Sequence, residues 1–221
     1  MKVIHRVSVG QLKNNFLPMR SLILSLLLVL PVSRLEARDT GKTAEKAKSV
    51  IFTDKRDNQG YRCVEIGQQT WMAQNMNYDA GAGSWCYEDL NENCRRYGRL
   101  YTWEVALHAC PEGWHLPSDG EWDELKILLK KSCPPGTSLK SQQGWDFNGN
   151  GTDIFGFSAM PSGYRNSDEA FNLGGNSCFW WSSTPKDDNY SWARHLKFNY
   201  TFLNRFRGSK KFGFAIRCLK D

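Results

Sequence analysis

The sequence predicts an α+β domain that combines two helices with short strands and long loops. Aromatic and turn-forming residues are both abundant, with 9 Trp, 8 Tyr, 12 Phe and 19 Gly among 221 residues. This composition favours short strands and long loops over a helical bundle. Seven cysteines add a third observation, because disulfides commonly close small domains that fold outside the cytosol.

The first predicted helix covers residues 101–109. The hydroxyl of Thr102 can cap this helix, Glu104 suits its first turn, and Ala106 and Ala109 favour helical backbone. Pro111 cannot continue a helix, so we expect the helix to end before that residue.

The second predicted helix begins at Ser118 and is the clearest element of the sequence. Residues 118–121 (SDGE) form a capping box, in which the serine hydroxyl accepts from a backbone N–H and Glu121 reaches back. Lys130 and Lys131 suit the carboxyl end, where positive charge is favoured, and residues 134–136 (PPG) are expected to terminate the helix. One helix face carries the apolar side chains of Trp122, Leu125, Leu128 and Leu129.

Strand-like segments lie on both sides of the two helices. Residues 61–66 and 69–73 form a predicted hairpin whose turn is made by Gly67 and Gln68. From residue 139 onward we expect only loops and strands. The strand candidates in that part are residues 157–160, 179–184, 191–200 and 211–219.

The amino terminus is typical of a targeting signal. Residues 21–32 form an uncharged, leucine-rich run after several basic residues, and the run is shorter than the roughly 20 residues of a membrane span. We interpret residues 1–37 as a signal peptide, or as an N-terminal membrane anchor if the weak cleavage site is not cut. Polar residues 38–50 are expected to form a flexible linker, and the domain occupies residues 51–221. The protein is therefore predicted to be secreted or attached to the cell envelope.

The net charge of +6 is concentrated in the predicted leader. Without residues 1–37 the chain holds 24 basic and 22 acidic residues, so the exported part is close to neutral. Nucleic-acid binding requires a concentrated basic face, and we therefore expect no nucleic-acid partner. The one local basic run, interpreted as a solvated strand end or turn, consists of Arg205, Arg207, Lys210 and Lys211.

Cysteine spacing favours disulfides without determining every pair. Cys86 and Cys94 flank a polar, turn-like loop, which favours local pairing of these two. A bridge between Cys110 and Cys218 would close a loop of more than a hundred residues and would stabilise the fold by about 4–5 kcal/mol in the chain-entropy model. No two cysteines are spaced as CxxC and the four histidines do not cluster, which argues against a metal or redox centre. The cysteines left without an assigned partner are Cys63, Cys133 and Cys178.

Seven short motifs follow one another along the chain. They are GQQTWMAQNMNY at 67–78, GRLYTW at 98–103, CPEGWHLPS at 110–118, NGNGTD at 148–153, GFSA at 156–159, WWSST at 180–184 and FAIRCLKD at 214–221. As a set these motifs are specific, although each alone is weak. The chain, over roughly residues 52–221, resembles the Fibrobacter succinogenes major paralogous domain family, whose members are exported bacterial proteins.

The resemblance implies a C-type-lectin-like fold, in which two helices pack on a twisted antiparallel sheet and the two ends of the domain lie close together. It also implies that Cys110 pairs with Cys218. It implies no settled activity, because the broader relatives include formylglycine-generating enzymes as well as lectin-like domains that bind sugars or proteins.

A non-catalytic binding module is the favoured interpretation of function. Lectin-like folds present ligands on long loops and on an exposed strand face in the second half of the chain, where aromatic rings can stack on sugars and Asn and Arg supply directed hydrogen bonds. The expected ligand is an extracellular polysaccharide or a cell-surface protein. The predicted ligand-binding residues are Tyr190, Trp192, Arg194, Asn199, Tyr200, Asn204 and Arg205.

A calcium ion is a further candidate ligand. Residues 146–153 (DFNGNGTD) place oxygen ligands at alternate positions, as in the first half of an EF-hand loop. Phe157 occupies the twelfth position, where an EF-hand requires Glu, so only an isolated Ca²⁺ site remains as a prediction. The alternative is an Asx-rich turn whose side chains satisfy its own backbone. The candidate ligands are Asp146, Asn148, Asn150 and Asp153.

Two alternative functions are also compatible with the sequence. A structural or assembly protein of the cell envelope fits the same features, and the odd cysteine count favours it slightly. An enzyme of the formylglycine-generating type needs a reactive cysteine pair that holds copper near the carboxyl end. Here Cys178 and Cys218 are the only late cysteines, and Cys218 is assigned to the structural bridge, so no enzyme activity and no certain cofactor are expected.

Overall fold

A computed structural model describes residues 50–130 and 134–221, and this part of the chain contains twelve strands and four α-helices. The helices are α1 (Asn91–Tyr97), α2 (Trp103–Ala109), α3 (Asp119–Leu129) and α4 (Pro135–Leu139). The strands are β1 (Val50–Thr53), β2 (Gly60–Ile66), β3 (Gln69–Met72), β4 (Ser84–Trp85), β5 (Leu100–Tyr101), β6 (Trp114–His115), β7 (Ser162–Arg165), β8 (Phe171–Gly174), β9 (Ser177–Pro185), β10 (Tyr190–Lys197), β11 (Asn204–Ser209) and β12 (Leu219–Lys220). The predicted α+β class is confirmed, with four helices in place of the expected two.

The first five-stranded sheet has the order β1-β2-β3-β12-β6 and is antiparallel throughout. Its first three strands meander, and the predicted hairpin of β2 and β3 turns at Gly67, which has a φ of 66°. In β12, Leu219 pairs with Trp71 on one side and with His115 on the other. The last strand therefore lies between the first hairpin and the segment that leads into α3. Val50, assigned to the linker from the sequence, pairs with Cys63 as the first residue of β1.

The second five-stranded sheet has the order β11-β10-β9-β7-β8, and only the β7–β9 pair is parallel. Strands β9 and β10 are the longest of the described chain, and Arg194 of β10 pairs with Trp180 of β9 and Arg205 of β11. Because side chains alternate along a strand, this sheet faces two different apolar clusters. Trp180 packs in a first core cluster with Trp122 and Leu125 of α3. Phe179 and Trp181, on the other side of β9, pack in a second core cluster with Phe214.

Tryptophan rings form the centre of the core. Trp71 and Trp122 lie with ring centroids 4.6 Å apart, and Phe157 and Trp180 complete this aromatic group. All of these side chains are fully buried. Aromatic side chains of this size bury more apolar area than any others, so the α3 stripe predicted from the sequence anchors the helix to both large sheets.

The predicted helix caps are confirmed. The Ser118 hydroxyl accepts from the backbone N–H of Glu121, and the Glu121 carboxylate accepts from the backbone N–H of Ser118 at 2.7 Å. At α2, the Thr102 side chain accepts from the backbone N–H of Val105. Each cap provides an acceptor for a backbone donor that the helix itself leaves unpaired.

Two of the predicted strands are irregular in the structure. Residues 157–160 and 211–218 instead make isolated bridges, in which Phe214 exchanges hydrogen bonds with Tyr101 of β5 and Ala215 pairs with β9. Only Leu219 of the second segment belongs to a strand, β12. The apolar alternation that predicted a strand is real, since Phe214 and Ile216 are buried. The backbone partners, however, belong to different elements, so no continuous ladder forms.

Two short helices were not predicted. Residues 91–97 are polar and bury only Cys94 and Tyr97, so α1 has no apolar stripe that a pattern could show. Helix α3 ends at Leu129, before residues 134–136 that were expected to terminate it. That segment instead starts α4, with Pro135 as the first helical residue, a position whose backbone N–H has no partner within a helix, so proline is tolerated there.

Two disulfides link these elements. Cys86 pairs with Cys94, which ties a 3₁₀ turn at Tyr87–Asp89 to α1, and Cys110 pairs with Cys218 across 108 residues. The second bond joins the end of α2 to the residue that precedes β12. Cys63 and Cys178 are buried free thiols, and the remaining cysteine, Cys133, lies outside the described residues.

The predicted leader, residues 1–37, also lies outside the part of the chain that the structure describes. Among residues 50–130 and 134–221, no helix is long and apolar enough to cross a membrane.

Candidate ligand-binding surfaces

The predicted ligand-binding residues lie on two sides of the second large sheet. Trp192 and Arg194 are two residues apart on β10, so their side chains lie on the same side of the sheet. Arg205 of β11 is opposite Arg194, and all three side chains belong to the side that faces α3. Asn204 is opposite His195 and therefore belongs to the other side. Asn199 and Tyr200 come from the turn between β10 and β11. The predicted set thus does not form one continuous site.

Arg194 is a structural residue and is not available to a ligand. Its side chain is 1% exposed and donates to the carboxylate and the backbone carbonyl of Asp119 and to the carboxylate of Asp123. The prediction of Arg194 as a ligand contact is corrected. The amino-terminal end of α3 covers this part of the sheet, and the carboxylates of Asp119 and Asp123 already accept hydrogen bonds from the guanidinium.

The rings of Trp192 and Tyr190 carry arginines on their faces. The Arg205 guanidinium lies 3.5 Å from the centre of the Trp192 ring and also pairs with Asp119, and Arg207 lies 4.4 Å from the centre of the Tyr190 ring. Such cation–π contacts stabilise the pair by roughly 0.5–1 kcal/mol at exposed sites. A sugar could stack on these faces only after displacing the arginines.

The other side of the sheet carries an open cavity of about 590 Å³, here named the aromatic groove. Exposed rings form its rim, since Tyr200 is 37% and Phe202 61% exposed. Asn199 and Asn204, both predicted as ligand-binding residues, lie beside these rings. Arg205 also lines the groove, but its guanidinium lies over Trp192 on the side that faces α3. The residues that line the aromatic groove are His195, Asn199, Tyr200, Thr201, Phe202, Asn204, Arg205 and Phe206.

A smaller cavity of about 270 Å³ adjoins the aromatic groove and shares three of its residues, His195, Tyr200 and Phe206. Its lining is mostly aromatic and includes Phe179 and Phe214, which stack with centroids 4.9 Å apart. Together the two cavities form one aromatic surface, which runs from the exposed rings of Tyr200 and Phe202 to the buried core cluster that contains Phe179 and Phe214.

His195 lies at the junction of the two cavities as a neutral imidazole. Burial, with a smaller contribution from the charge of Lys197, lowers its pKa to about 4. The ring stacks on Phe179 with a centroid separation of 4.2 Å, and its Nε2 atom is buried without a hydrogen-bond partner among the described residues. Sequence reasoning did not single out His195, because its position in an alternating strand carries no distinctive signal.

A second large cavity, here named the polar cleft, has a volume of about 600 Å³. Its walls come from β2, the segment after β3, α1 and the loop of residues 141–160. Four arginines line it together with one carboxylate, that of Asp153. They are Arg62, Arg95, Arg96 and Arg217. The sequence contained little indication of this cleft, because its residues are distant from one another along the chain.

The predicted calcium ligands form a turn that uses several of its own oxygens. The Asn150 side-chain oxygen accepts from the backbone N–H of Trp145 at 3.0 Å, and the Asp153 carboxylate accepts from the backbone N–H and the hydroxyl of Ser158, each at 2.7 Å. Asp146 packs against Gly175, and Asn148 has a left-handed φ of 57°. The geometry agrees with the Asx-rich turn that was the alternative interpretation. In residues 50–130 and 134–221, no group of three or more His, Cys, Asp or Glu side chains is arranged to hold a metal.

The two late cysteines do not form an accessible pair. Cys178 is fully buried, and burial raises the pKa of its thiol far above the ordinary value. Cys218 is bonded to Cys110. Reactive cysteines generally lie in exposed, electropositive surroundings with a lowered pKa.

A histidine between two carboxylates lies at the start of α3. His115 Nδ1 is 2.6 Å from Asp221 and its Nε2 is 2.9 Å from Glu121, the capping-box residue. Burial alone would lower the pKa of His115, but the hydrogen bonds to Asp221 and Glu121 outweigh it and raise the pKa above its ordinary value. Burial would raise the pKa of Glu121, but hydrogen bonds from Ser118 and His115 lower it. The cluster fastens the cap of α3 to the end of the described chain.

These observations define a disulfide-closed α+β domain with two large curved sheets and three cavities. The family model of the Fibrobacter succinogenes major domain matches residues 64–220, which is more than half of the chain. The chain therefore belongs to this family, as the resemblance of its motifs indicated. No curated protein and no solved structure shows significant similarity to the chain.

Proposed function

We propose that this protein is a non-catalytic binding module that works outside the cytosol and recognises extracellular polysaccharide through the aromatic groove. The observation that carries the proposal is the exposure of Tyr200 and Phe202 beside Asn199 and Asn204 in one open groove. Flat rings provide apolar faces for sugar rings, and side-chain amides both donate to and accept from hydroxyl groups.

The chemistry of the groove favours a sugar over a purely apolar ligand. Its lining combines rings with side-chain amides, and Thr201 adds a further polar group. Ligand sites of this size generally combine an apolar lining with a few polar groups that determine orientation. Neutral sugars have the matching surface, since their ring faces are apolar and their edges carry hydroxyls.

Two disulfides support a location outside the cytosol, because such bonds persist in oxidising compartments. The leucine-rich segment at residues 21–32 supports export as well. We further propose that the domain has the C-type-lectin-like fold. Support comes from the two curved sheets, from α2 and α3 packed on them, and from the bond that ties Cys110 to Cys218 beside the last strand.

Retention on insoluble and immobilised polysaccharides of plant and bacterial origin tests the proposal. We expect the purified protein to be retained by at least one neutral polysaccharide, and we expect Tyr200→Ala and Phe202→Ala each to weaken binding at least tenfold, which corresponds to about 1.4 kcal/mol. Ile127→Ala is the matched control, because Ile127 is 58% exposed on α3 and does not line the groove.

A second variant separates the two sides of the sheet. Trp192→Ala removes the ring that lies under Arg205 on the opposite side, so we expect it to leave polysaccharide binding unchanged. The proposal is abandoned if no polysaccharide is retained and the protein instead captures an envelope protein. Unchanged binding in both groove variants would show that the polysaccharide binds elsewhere on the protein.

A further inference from the structure

The polar cleft concentrates positive charge in a domain that is otherwise close to neutral. Residues 38–221 hold 24 basic and 22 acidic residues, yet four arginines and one carboxylate line this cleft. The carboxylate of Asp153 is already hydrogen-bonded to the backbone N–H and the hydroxyl of Ser158. Solvent in the cleft therefore meets a local excess of guanidinium groups.

Arg217 forms the floor of the cleft and has no carboxylate partner among the described residues. Its side chain is buried, and it donates to the side-chain oxygen of Asn75 and to the backbone carbonyls of Met72, Phe157 and Ser158. Burial lowers the pKa of Arg217 to about 9, which leaves it protonated at neutral pH. A buried cation neutralised only by dipoles favours negative charge nearby.

The walls carry three further guanidinium groups that reach the cleft from two elements. Arg62 comes from β2, and Arg95 and Arg96 come from the last turn of α1. All three are exposed, and within residues 50–130 and 134–221 none of them forms an ion pair. Positive charge is favoured at the carboxyl end of a helix, which accounts for the presence of Arg95 and Arg96 in the last turn of α1. It does not account for Arg62 and Arg217, which line the same cavity from other elements.

The cleft also offers an unused acceptor and several amides. The side-chain oxygen of Asn77 is buried and has no hydrogen-bond partner in the described chain, although an unpaired buried polar atom costs about 1–3 kcal/mol. Asn77 lines the cleft beside Gln59, Gln74 and Gln143. A ligand hydroxyl can reach this oxygen only if the Asn77 side chain turns toward the cleft, because the atom is buried.

We propose that the polar cleft binds an acidic saccharide, whose carboxylate or sulfate pairs with Arg62, Arg95 and Arg96 and whose hydroxyls meet the amide side chains and Asn77. Guanidinium groups bind carboxylates and tetrahedral oxyanions such as phosphate through paired hydrogen bonds. The volume of about 600 Å³ lies in the usual range for small-ligand sites, roughly 300–1,000 Å³. This site is separate from the aromatic groove and does not depend on the function proposed there.

Titration calorimetry on the full-length protein tests this site. The ligands are an oligogalacturonate, a sulfated galactose oligomer, the neutral galactose oligomer of equal length, and inorganic sulfate. We expect one or both acidic oligomers to bind at least tenfold more tightly than the neutral oligomer, and we expect this binding to weaken as salt is raised. The two acidic oligomers distinguish a carboxylate from a sulfate as the bound group.

Arginine variants locate the binding. Arg62→Ala and Arg96→Ala each remove an exposed guanidinium from the cleft, and we expect each to weaken acidic-oligomer binding at least tenfold. Arg207→Ala removes the same charge from β11, which does not line the cleft, and should leave binding unchanged. Tyr200→Ala should also leave it unchanged, which separates this site from the aromatic groove.

Several outcomes would overturn the proposal. Equal affinity for acidic and neutral oligomers would remove the role of the arginines, and an equal loss in Arg207→Ala would indicate only nonspecific charge attraction. Inorganic sulfate that binds as tightly as the acidic oligomers would show an anion site without saccharide recognition. Absence of any binding by acidic oligomers would also overturn it.

Discussion

Arg194 of β10 and Asp119 of α3 form a buried ion pair between residues 75 positions apart in the sequence. The side chains of the two residues are 1% and 11% exposed. Asp119 is also the first residue of α3, so the pair fastens the start of this helix to the second large sheet. The pair explains why Arg194 supports the fold, whereas Arg205, its partner on β11, remains exposed.

Replacement of this arginine should destabilise the protein strongly. We expect Arg194→Met to lower the free energy of unfolding by about 3 kcal/mol, because loss of one partner leaves a buried charge uncompensated. The value lies at the lower end of the usual range because Asp119 keeps Arg205 as a partner. Urea denaturation measures the change. Arg207→Ala, on an exposed position of β11, is the control and should change stability by no more than about 1 kcal/mol, the upper value for its contact with the Tyr190 ring.

The two disulfides should differ in their contributions to stability. The Cys110–Cys218 bond spans 108 residues and the Cys86–Cys94 bond spans 8, so the chain-entropy model assigns them about 5 and about 2.5 kcal/mol. We expect the double serine variant of the long-range pair to have the lower midpoint of thermal unfolding. A larger loss in the Cys86→Ser/Cys94→Ser variant would contradict this entropic account.

The cluster around His115 should make stability depend on pH. The pKa of His115 is raised in the folded state, so its contribution is complete below the unfolded pKa of about 6.5 and is lost as pH rises through the folded pKa. His195 acts in the opposite direction, since its pKa is lowered to about 4 and its contribution is lost as pH falls below about 6.5. Well above pH 6.5, His195 is neutral in both the folded and the unfolded chain and no longer contributes to the pH dependence.

The test compares the wild type with His115→Gln in denaturant titrations from pH 6.5 to pH 9. The wild type should lose stability relative to the variant as pH rises, and Asp221→Asn should reduce this loss because it removes one of the two carboxylate partners. A difference between wild type and His115→Gln that does not change with pH would contradict the role assigned to the cluster.

A pair of glycines provides a test of the packing. Gly163 of β7 and Gly113 both have left-handed backbone, with φ of 63° and 79°, so alanine at either position costs about 1–2 kcal/mol. A Cβ at 163 would lie 2.5 Å from the Asn172 carbonyl oxygen and 2.5 Å from the Tyr87 ring, whereas a Cβ at 113 meets nothing within 4 Å. We expect Gly163→Ala to be less stable than Gly113→Ala by about 1–3 kcal/mol, as measured by urea denaturation. Equal losses would show that β7 can shift to admit the side chain.

Local signals account for the elements that sequence reasoning placed correctly. The capping box at Ser118 and the apolar stripe of Trp122 and Leu125 act within a few residues of the chain, and so does the hairpin turn at Gly67. The segment around Phe214 was predicted as a strand for the same local reason. Its apolar alternation is genuine, but the hydrogen-bond partners of that segment come from β5 and β9, which local patterns do not reveal.

The candidate sites were less predictable than the fold. The alternation of side chains along a strand places Trp192 and Arg194 on one side of β10. It does not show that α3 packs against that side and buries Arg194. The polar cleft joins Arg62, Arg96 and Arg217, which come from three separate parts of the chain. No spacing rule links residues that meet only after the two sheets have packed.

By itself the sequence determined the α+β class, the family, the caps of α2 and α3, and the aromatic residues that fill the core, because these depend on composition and on contacts between near neighbours. Only the tertiary structure decided which arginines are buried in ion pairs and which remain free in a cavity. The reason is that burial and charge pairing are properties of the assembled sheets, in which residues as distant as Asp119 and Arg194 come into contact.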